Sequence, residues 1–391
     1  MKTKIKIKKF QLVRFKSKDA IANLRAENFV AAGKRAFARQ KLLEEVLFPE
    51  GMTAIKAEAF HGCLALRSVS LPENAVGVSA ATFANCTSLG EVKNTDRLTV
   101  VGPRAFFGCR ALKEIHFGKS LRRIGEHAFE GCTALESVDL PASLGQIGEA
   151  AFAGCDGLKL ATVSLPALAK AMFKGCRSLE TLTFSESLFE IPCAAFRDCV
   201  KLHELQLPAS LRVIGSRAFF GCTSLERLEL GDQVEKVGRY AFSGCSGLCE
   251  VRIPRSLKRL GRGAFGTGKR TKKIRLLVES EFLQKRISRL LRLCGSSGCA
   301  EVVLIGKTIE ERKRERRRAT ISQEPVHLLD PIEKKEPILQ CGPEESQESR
   351  VVTEQAPAVV EDAPIEETGV QECVVSEDAN KEQEIKEDEN S

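Results

Sequence analysis

The 391-residue chain has no tryptophan, a single tyrosine (Tyr240), five histidines and three methionines. Such a supply leaves little from which to build stacking platforms for bases or organic cofactors. It is equally poor in the imidazoles that metal centres and nucleophile–base pairs draw on. Long apolar runs are missing as well, none approaching the roughly 20 residues that a membrane helix needs. The opening stretch, Met1 to Lys9, alternates lysine with isoleucine and lacks an apolar signal core. The expectation is a cytoplasmic protein without a membrane span. Fifteen cysteines are present, and in a chain kept in a reducing compartment they read as thiols rather than disulfides. Hydrophobic residues form 43% of the sequence, enough for a packed core, with 60 Lys and Arg against 52 Asp and Glu.

What the sequence does have is phenylalanine at a fixed interval. Eleven fall at Phe37, Phe60, Phe83, Phe106, Phe129, Phe152, Phe173, Phe196, Phe219, Phe242 and Phe265, separated by 23 residues except for Phe152 to Phe173, which is 21. A constant period of this length signals a solenoid of stacked single-turn units. Within one unit, Leu135, Val138 and Leu140 point one way along a short strand while Asp139 points the other. Leu144 and Ile147 add inward side chains, and Ala151-Phe152-Ala153-Gly154-Cys155 closes the turn. One such coil cannot bury its own apolar residues, whereas a stack can, at roughly 1.5 to 3 kcal/mol for each fully buried Phe or Leu.

Two further columns follow the phenylalanines. Two residues after them stand Gly62, Asn85, Gly108, Gly131, Gly154, Gly175, Asp198, Gly221 and Gly244, the residue types that best tolerate positive φ. One residue later come Cys63, Cys86, Cys109, Cys132, Cys155, Cys176, Cys199, Cys222 and Cys245, expected to be small buried thiols stacked at strand spacing. The shortened unit loses four residues between Pro166 and Phe173, which predicts an irregular coil.

The repeated pattern Leu-x-x-Val-x-Leu-Pro-x-Ser-Leu-x-x-Ile-Gly-x-x-Ala-Phe-x-Gly-Cys resembles the BspA-type leucine-rich repeat over roughly residues 29 to 277. The resemblance implies a right-handed α/β-class solenoid with a parallel sheet on its concave side, and a binding role without catalysis. The chain departs from the pattern at Asn94, where an inward apolar residue belongs, and at the shortened unit. Around the repeats, residues 1–28 read as a basic N-terminal cap. Residues 278–319 read as a C-terminal cap: a helix N-capped by Ser280 with Phe282, Leu283, Ile287, Leu290, Leu291 and Cys294 on one face, then a strand at Val302 to Ile305. Residues 320–391 form an acidic tail whose composition cannot support a packed fold. Residues 321–391 hold 20 acidic and 5 basic side chains, leaving 32 acidic and 55 basic before them.

Candidate sites are few. Gly263-Ala264-Phe265-Gly266-Thr267-Gly268-Lys269-Arg270 approaches a phosphate-binding loop, but Arg270 stands where Ser or Thr would hold magnesium. Cys294 and Cys299 lack a second ligand pair, so neither metal nor cofactor is expected. The outward strand positions give a polar face of mixed sign, including Glu91, Glu114, His116, Asp139, Glu204 and Glu229, with positive charge toward the end of the stack at Arg227, Arg252, Lys273 and Arg275. Such a face suits a protein partner better than a nucleic acid, which asks for near-uniform cations. Phe107 and Phe220 occupy a position that is otherwise polar or small, and are candidate contact residues. The run Arg312, Lys313, Arg314, Arg316, Arg317 and Arg318 is a candidate anion or nuclear-targeting segment. The principal reading is a monomeric, non-enzymatic, protein-binding scaffold, whose acidic tail either folds back loosely on the basic body or serves only to keep it soluble. Two alternatives are an adhesin exported without a recognisable signal, and a binder of nucleic acid or anionic surfaces.

Overall fold

The computed structural model describes residues 4–8, 11–16, 21–25, 27, 29–266, 273–293 and 300–305. The ruler phenylalanines are its axis. From Phe37 to Phe265 their rings stack with centroids 4.5–5.7 Å apart and planes inclined by 3–17°. All are fully buried, as is every cysteine in the column beside them.

The backbone around each ring explains why the period is rigid. The residue two after the phenylalanine has positive φ from Arg39 to Gly244, as at Gly131 (73°), Asn85 (61°) and Asp198 (61°). A second left-handed column lies two residues before it and is filled mostly by other residues, among them Arg35, Ala81, Arg104, His127 and Tyr240. Alternating left- and right-handed residues turn three N–H groups of each turn the same way along the stack. Thus His127, Phe129 and Gly131 donate to the carbonyls of Glu149, Ala151 and Ala153. The same triplet repeats from Arg35 in the first coils to Tyr240, Phe242 and Gly244 in the last. Each column thiol donates to the carbonyl of an earlier ruler phenylalanine, as Cys132 Sγ does to Phe106 O at 3.3 Å. Alanine would lack both the sulfur that fills the space and that bond.

Two ladders of parallel strands flank the turns. The longer strands form the first. Ile21–Asn23 pairs with Glu45–Leu47, and Ser68–Ser70 with Glu91–Lys93. Ser137–Leu140, Leu160–Val163 and Thr181–Phe184 form a central block. Arg227–Glu229, Glu250–Arg252, Ile274–Val278 and Ala300–Leu304 form the last. The ladder begins at Ile21, so residues assigned to the cap already belong to the stack. The second ladder consists of two-residue strands. Here Gly102 and Gly215 must be glycine because a Cβ on either would lie 2.7 Å from backbone of the preceding coil, at Ala80 N and Cys193 N.

The shortened unit is irregular, as the missing residues require. Its long strand, Leu160–Val163, pairs on both sides, and the Phe152–Phe173 stack survives at 5.7 Å. Its short strand is absent, so the second ladder stops at Gln146–Ile147 and resumes at Glu190–Ile191. Pro192 stands where Gly148 and Gly215 donate to the preceding coil, so no N–H is left facing the gap at that position. Gln146, Ile147, Ala167 and Leu168 help line a cleft of about 460 Å³ there.

At the start, strands Lys4–Lys8 and Gln11–Lys16 form an antiparallel hairpin that joins the second ladder at Ala31–Ala32. At the end, Ser280 Oγ accepts the N–H of Leu283 at 3.2 Å and caps the helix Glu281–Leu293. Leu283, Ile287 and Leu291 are its buried residues. Phe282, expected on that inner face, is 73% exposed, because the core is met by the Leu283, Ile287 and Leu291 stripe with Leu290 beside it. No helix among the described residues is long and apolar enough to cross a membrane.

Candidate protein-binding face

The outward residues of the longer strands project from a rigid base, since inward Val138, Ala161, Leu182, Leu228 and Val251 are all buried. The ladder they stand on is unpaired between Glu45–Leu47 and Ser68–Ser70, and it breaks at two coils, residues 112–118 and 202–208, that contribute no regular strand. The first break traces to Asn94. It adopts φ of 62°, and its side-chain amide donates to Leu71 O at 2.9 Å. Thr95 Oγ1 then donates to His116 O at 2.6 Å. Side-chain bonds thus stand in for part of the ladder. The second break, around His203 and Glu204, has no such substitution behind it.

Glu91, Glu114, His116, Asp139, Glu204 and Glu229 are all exposed on this face. They are not gathered into one cluster. Glu114 and His116 sit in the first break and form their own contact at 3.6 Å. Glu204 sits in the second break, in a groove of about 570 Å³ shared with His203, Arg227 and Glu250. Glu229 belongs to the last block, where Arg252 bridges it (2.8 Å) and Glu279 (2.7 Å). The Arg252 guanidinium is held above its ordinary pKa chiefly by the hydrogen bond to Glu279, then by the charge of Glu229. Arg275 pairs with Glu250. The strand register places Arg275 opposite Glu250 and Leu277 opposite Arg252.

Between these charged blocks lies a block whose one charge is Asp139. The register places Ser137, Leu160 and Thr181 in one row and Asp139, Thr162 and Thr183 in the next. Leu160 is 43% exposed at the centre. The signal was present in Lys159-Leu160-Ala161-Thr162-Val163, where Leu160 takes an outward position in an otherwise regular strand.

Phe107 and Phe220 are half-buried on the turn face rather than exposed. The guanidinium of Arg104 lies 6.0 Å from the Phe107 ring centre, and that of Arg197 5.2 Å from the Phe220 ring centre. Each follows, one coil later, a left-handed position that carries a side chain, Asn85 or Asp198, whose Oδ1 would lie 2.8 or 2.5 Å from a Cβ placed on Gly108 or Gly221. Burial pushes the thiols of Cys109, Cys155, Cys199 and Cys222 well up, and that of Cys132 up to about 12. These cysteines are poor nucleophiles at neutral pH. Among the described residues, no three His, Cys, Asp or Glu side chains gather as a metal site. Residues Thr267 to Arg270 of the loop-like segment, Cys294, Cys299, the run Arg312 to Arg318 and the acidic tail lie outside the described residues.

The sequence matches the family model for the BspA type leucine-rich repeat region in six copies, over residues 15–164 and 167–287. The chain belongs to the BspA-type leucine-rich-repeat family. The matched stretches part at the shortened coil of this BspA-type protein. Among solved structures, a leucine-rich repeat protein from Bacteroides ovatus is 21% identical, covering 78% of this chain and 98% of that one at a TM-score of 0.40. The pneumococcal vaccine antigen PcpA is 18% identical, covering 78% of this chain and 97% of that one at a TM-score of 0.45. A T. pallidum leucine-rich repeat protein is 23% identical, covering 57% and 87% at 0.38. No curated protein matches.

Proposed function

We propose that this BspA-type repeat protein is a non-enzymatic scaffold that binds another protein through the face of its longer strands, centred on the block around Leu160. The observation that carries the reading is the arrangement of that face. One exposed aliphatic residue is surrounded by Ser137, Thr162, Thr181 and Thr183, whose hydroxyls make no hydrogen bond within the described residues. Charged blocks lie to either side. An apolar centre with available hydrogen-bonding groups and a charged rim is how protein interfaces are built. A face of mixed sign disfavours nucleic acid, whose phosphates would meet Asp139, Glu204 and Glu229.

The test is affinity capture from the host, identified by mass spectrometry, with wild-type protein and the variants Leu160→Asp and Thr181→Arg. Both side chains face solvent, so melting temperature should be unchanged. A central interface residue altered in this way weakens binding by roughly tenfold or more. A partner captured equally by all three proteins would refute this face.

A further inference from the structure

The helix Glu281–Leu293 presents outward a combination found nowhere else on the described surface. Phe282, Arg286, Arg289 and Leu293 follow one another at i, i+4, i+7 and i+11 and share one stripe. Phe282 is 73% and Leu293 74% exposed, the two most exposed large hydrophobic residues among those described. Neither is needed by the cap, which is closed by Leu283, Ile287 and Leu291 on the opposite side.

The charges on this helix are also unlike those on the coils. Elsewhere many surface cations lie beside a carboxylate: Lys159 beside Glu136, Lys201 beside Glu180, Lys258 beside Glu235. Lys285, Arg286, Arg289 and Arg292 have no ion pair among the described residues, and the helix carries one acid, Glu281. Arg286 donates to Arg255 O at 3.4 Å, which fixes the helix against the last coil. The neighbouring strand Arg259–Leu260, in contact with the helix, adds Arg259, likewise without an ion pair among the described residues.

We infer that the outer face of this helix docks on an anionic lipid surface, with Phe282 and Leu293 entering the headgroup boundary and the cations meeting lipid phosphates. Unpaired cations interleaved with bulky apolar side chains on one helical face are the chemistry of interfacial helices. A nucleic acid would account for the cations but leave the exposed leucine without a role. The site lies apart from Leu160, and its test requires no protein partner.

The full chain is sedimented with vesicles of phosphatidylcholine alone and of equal parts phosphatidylcholine and phosphatidylglycerol, at low and high salt. Binding to the mixed vesicles only, weakening as salt rises, is expected. Phe282→Ser with Leu293→Ser should reduce vesicle binding by roughly tenfold or more while leaving heparin binding unchanged. Arg286→Gln with Arg289→Gln should reduce vesicle binding by roughly 25-fold, about fivefold for each cation. Phe282, Arg289 and Leu293 are exposed and Arg286 is half-buried, so the melting temperature serves as the control for folding, and single variants should keep the same ranking. Failure to bind mixed vesicles at low salt would overturn the proposal. So would an apolar double variant that binds them like wild type, which would leave only a general affinity for polyanions, including nucleic acid.

Discussion

The turn column and the longer-strand ladder are built from the same coils, yet one is continuous and the other is not. From Phe37 to Phe265 the rings stack without a gap, even across the coil that has lost residues. The ladder breaks at residues 112–118 and again at 202–208 while the turns beside it keep their three forward hydrogen bonds. The stack therefore depends on the turns, and the strand faces are free to vary. Side chains exposed to solvent can differ from coil to coil, whereas a ring between two rings cannot.

Breaking the turn column should cost most. Phe129→Ala is expected to destabilise by about 3–5 kcal/mol in denaturant unfolding, from lost burial and a cavity between two stacked neighbours. Next comes the close approach of the second ladder. Gly215→Ala puts a Cβ 2.7 Å from Cys193 N, so the coils must part, and a loss of about 1–3 kcal/mol is expected.

The thiols give a pH test. The Cys132 thiol moves from 9.0 in the open chain to about 12 when buried. Its raised folded pKa means that the unfolded state loses the proton first. Stability from this group is thus complete below pH 9 and falls as pH rises toward 12, as urea midpoints across that range should show. At neutral pH an alkylating reagent should modify exposed Cys249 long before Cys132 or Cys155. Rapid labelling of the column would contradict its burial. On the strand face, Thr181→Ala and Glu204→Ala should change stability by no more than about 0.5 kcal/mol; a larger loss would erase the distinction between column and face.

Much of this division can be read from the residues themselves, because a column leaves the same residue type at the same interval. Phe, Gly and Cys each mark a site where every coil meets the same neighbours. Ser280 and the missing residues after Pro166 are likewise local signals with local consequences. The second left-handed column is invisible in composition. Arg35, Ala81 and Tyr240 are held there by forward hydrogen bonds between coils, and no residue type is demanded. The 23-residue period does not mark Leu160, because its coil is out of step with the others, although only its short strand is lost. Arg275 and Phe282 show the same limit. A residue's place opposite its neighbour, or just outside a helix's inner stripe, depends on register that spacing alone does not define.

Native-state hydrogen exchange across the shortened coil tests the continuity of the turn column most directly. The amides of Phe129, Phe152, Phe173 and Phe196 should share one high protection level and lose it together in denaturant, as one cooperative unit. Protection that collapses for the coils before Leu160 at a different denaturant concentration from those after Phe173 would show two separate stacks, and would contradict a spine that runs through the break.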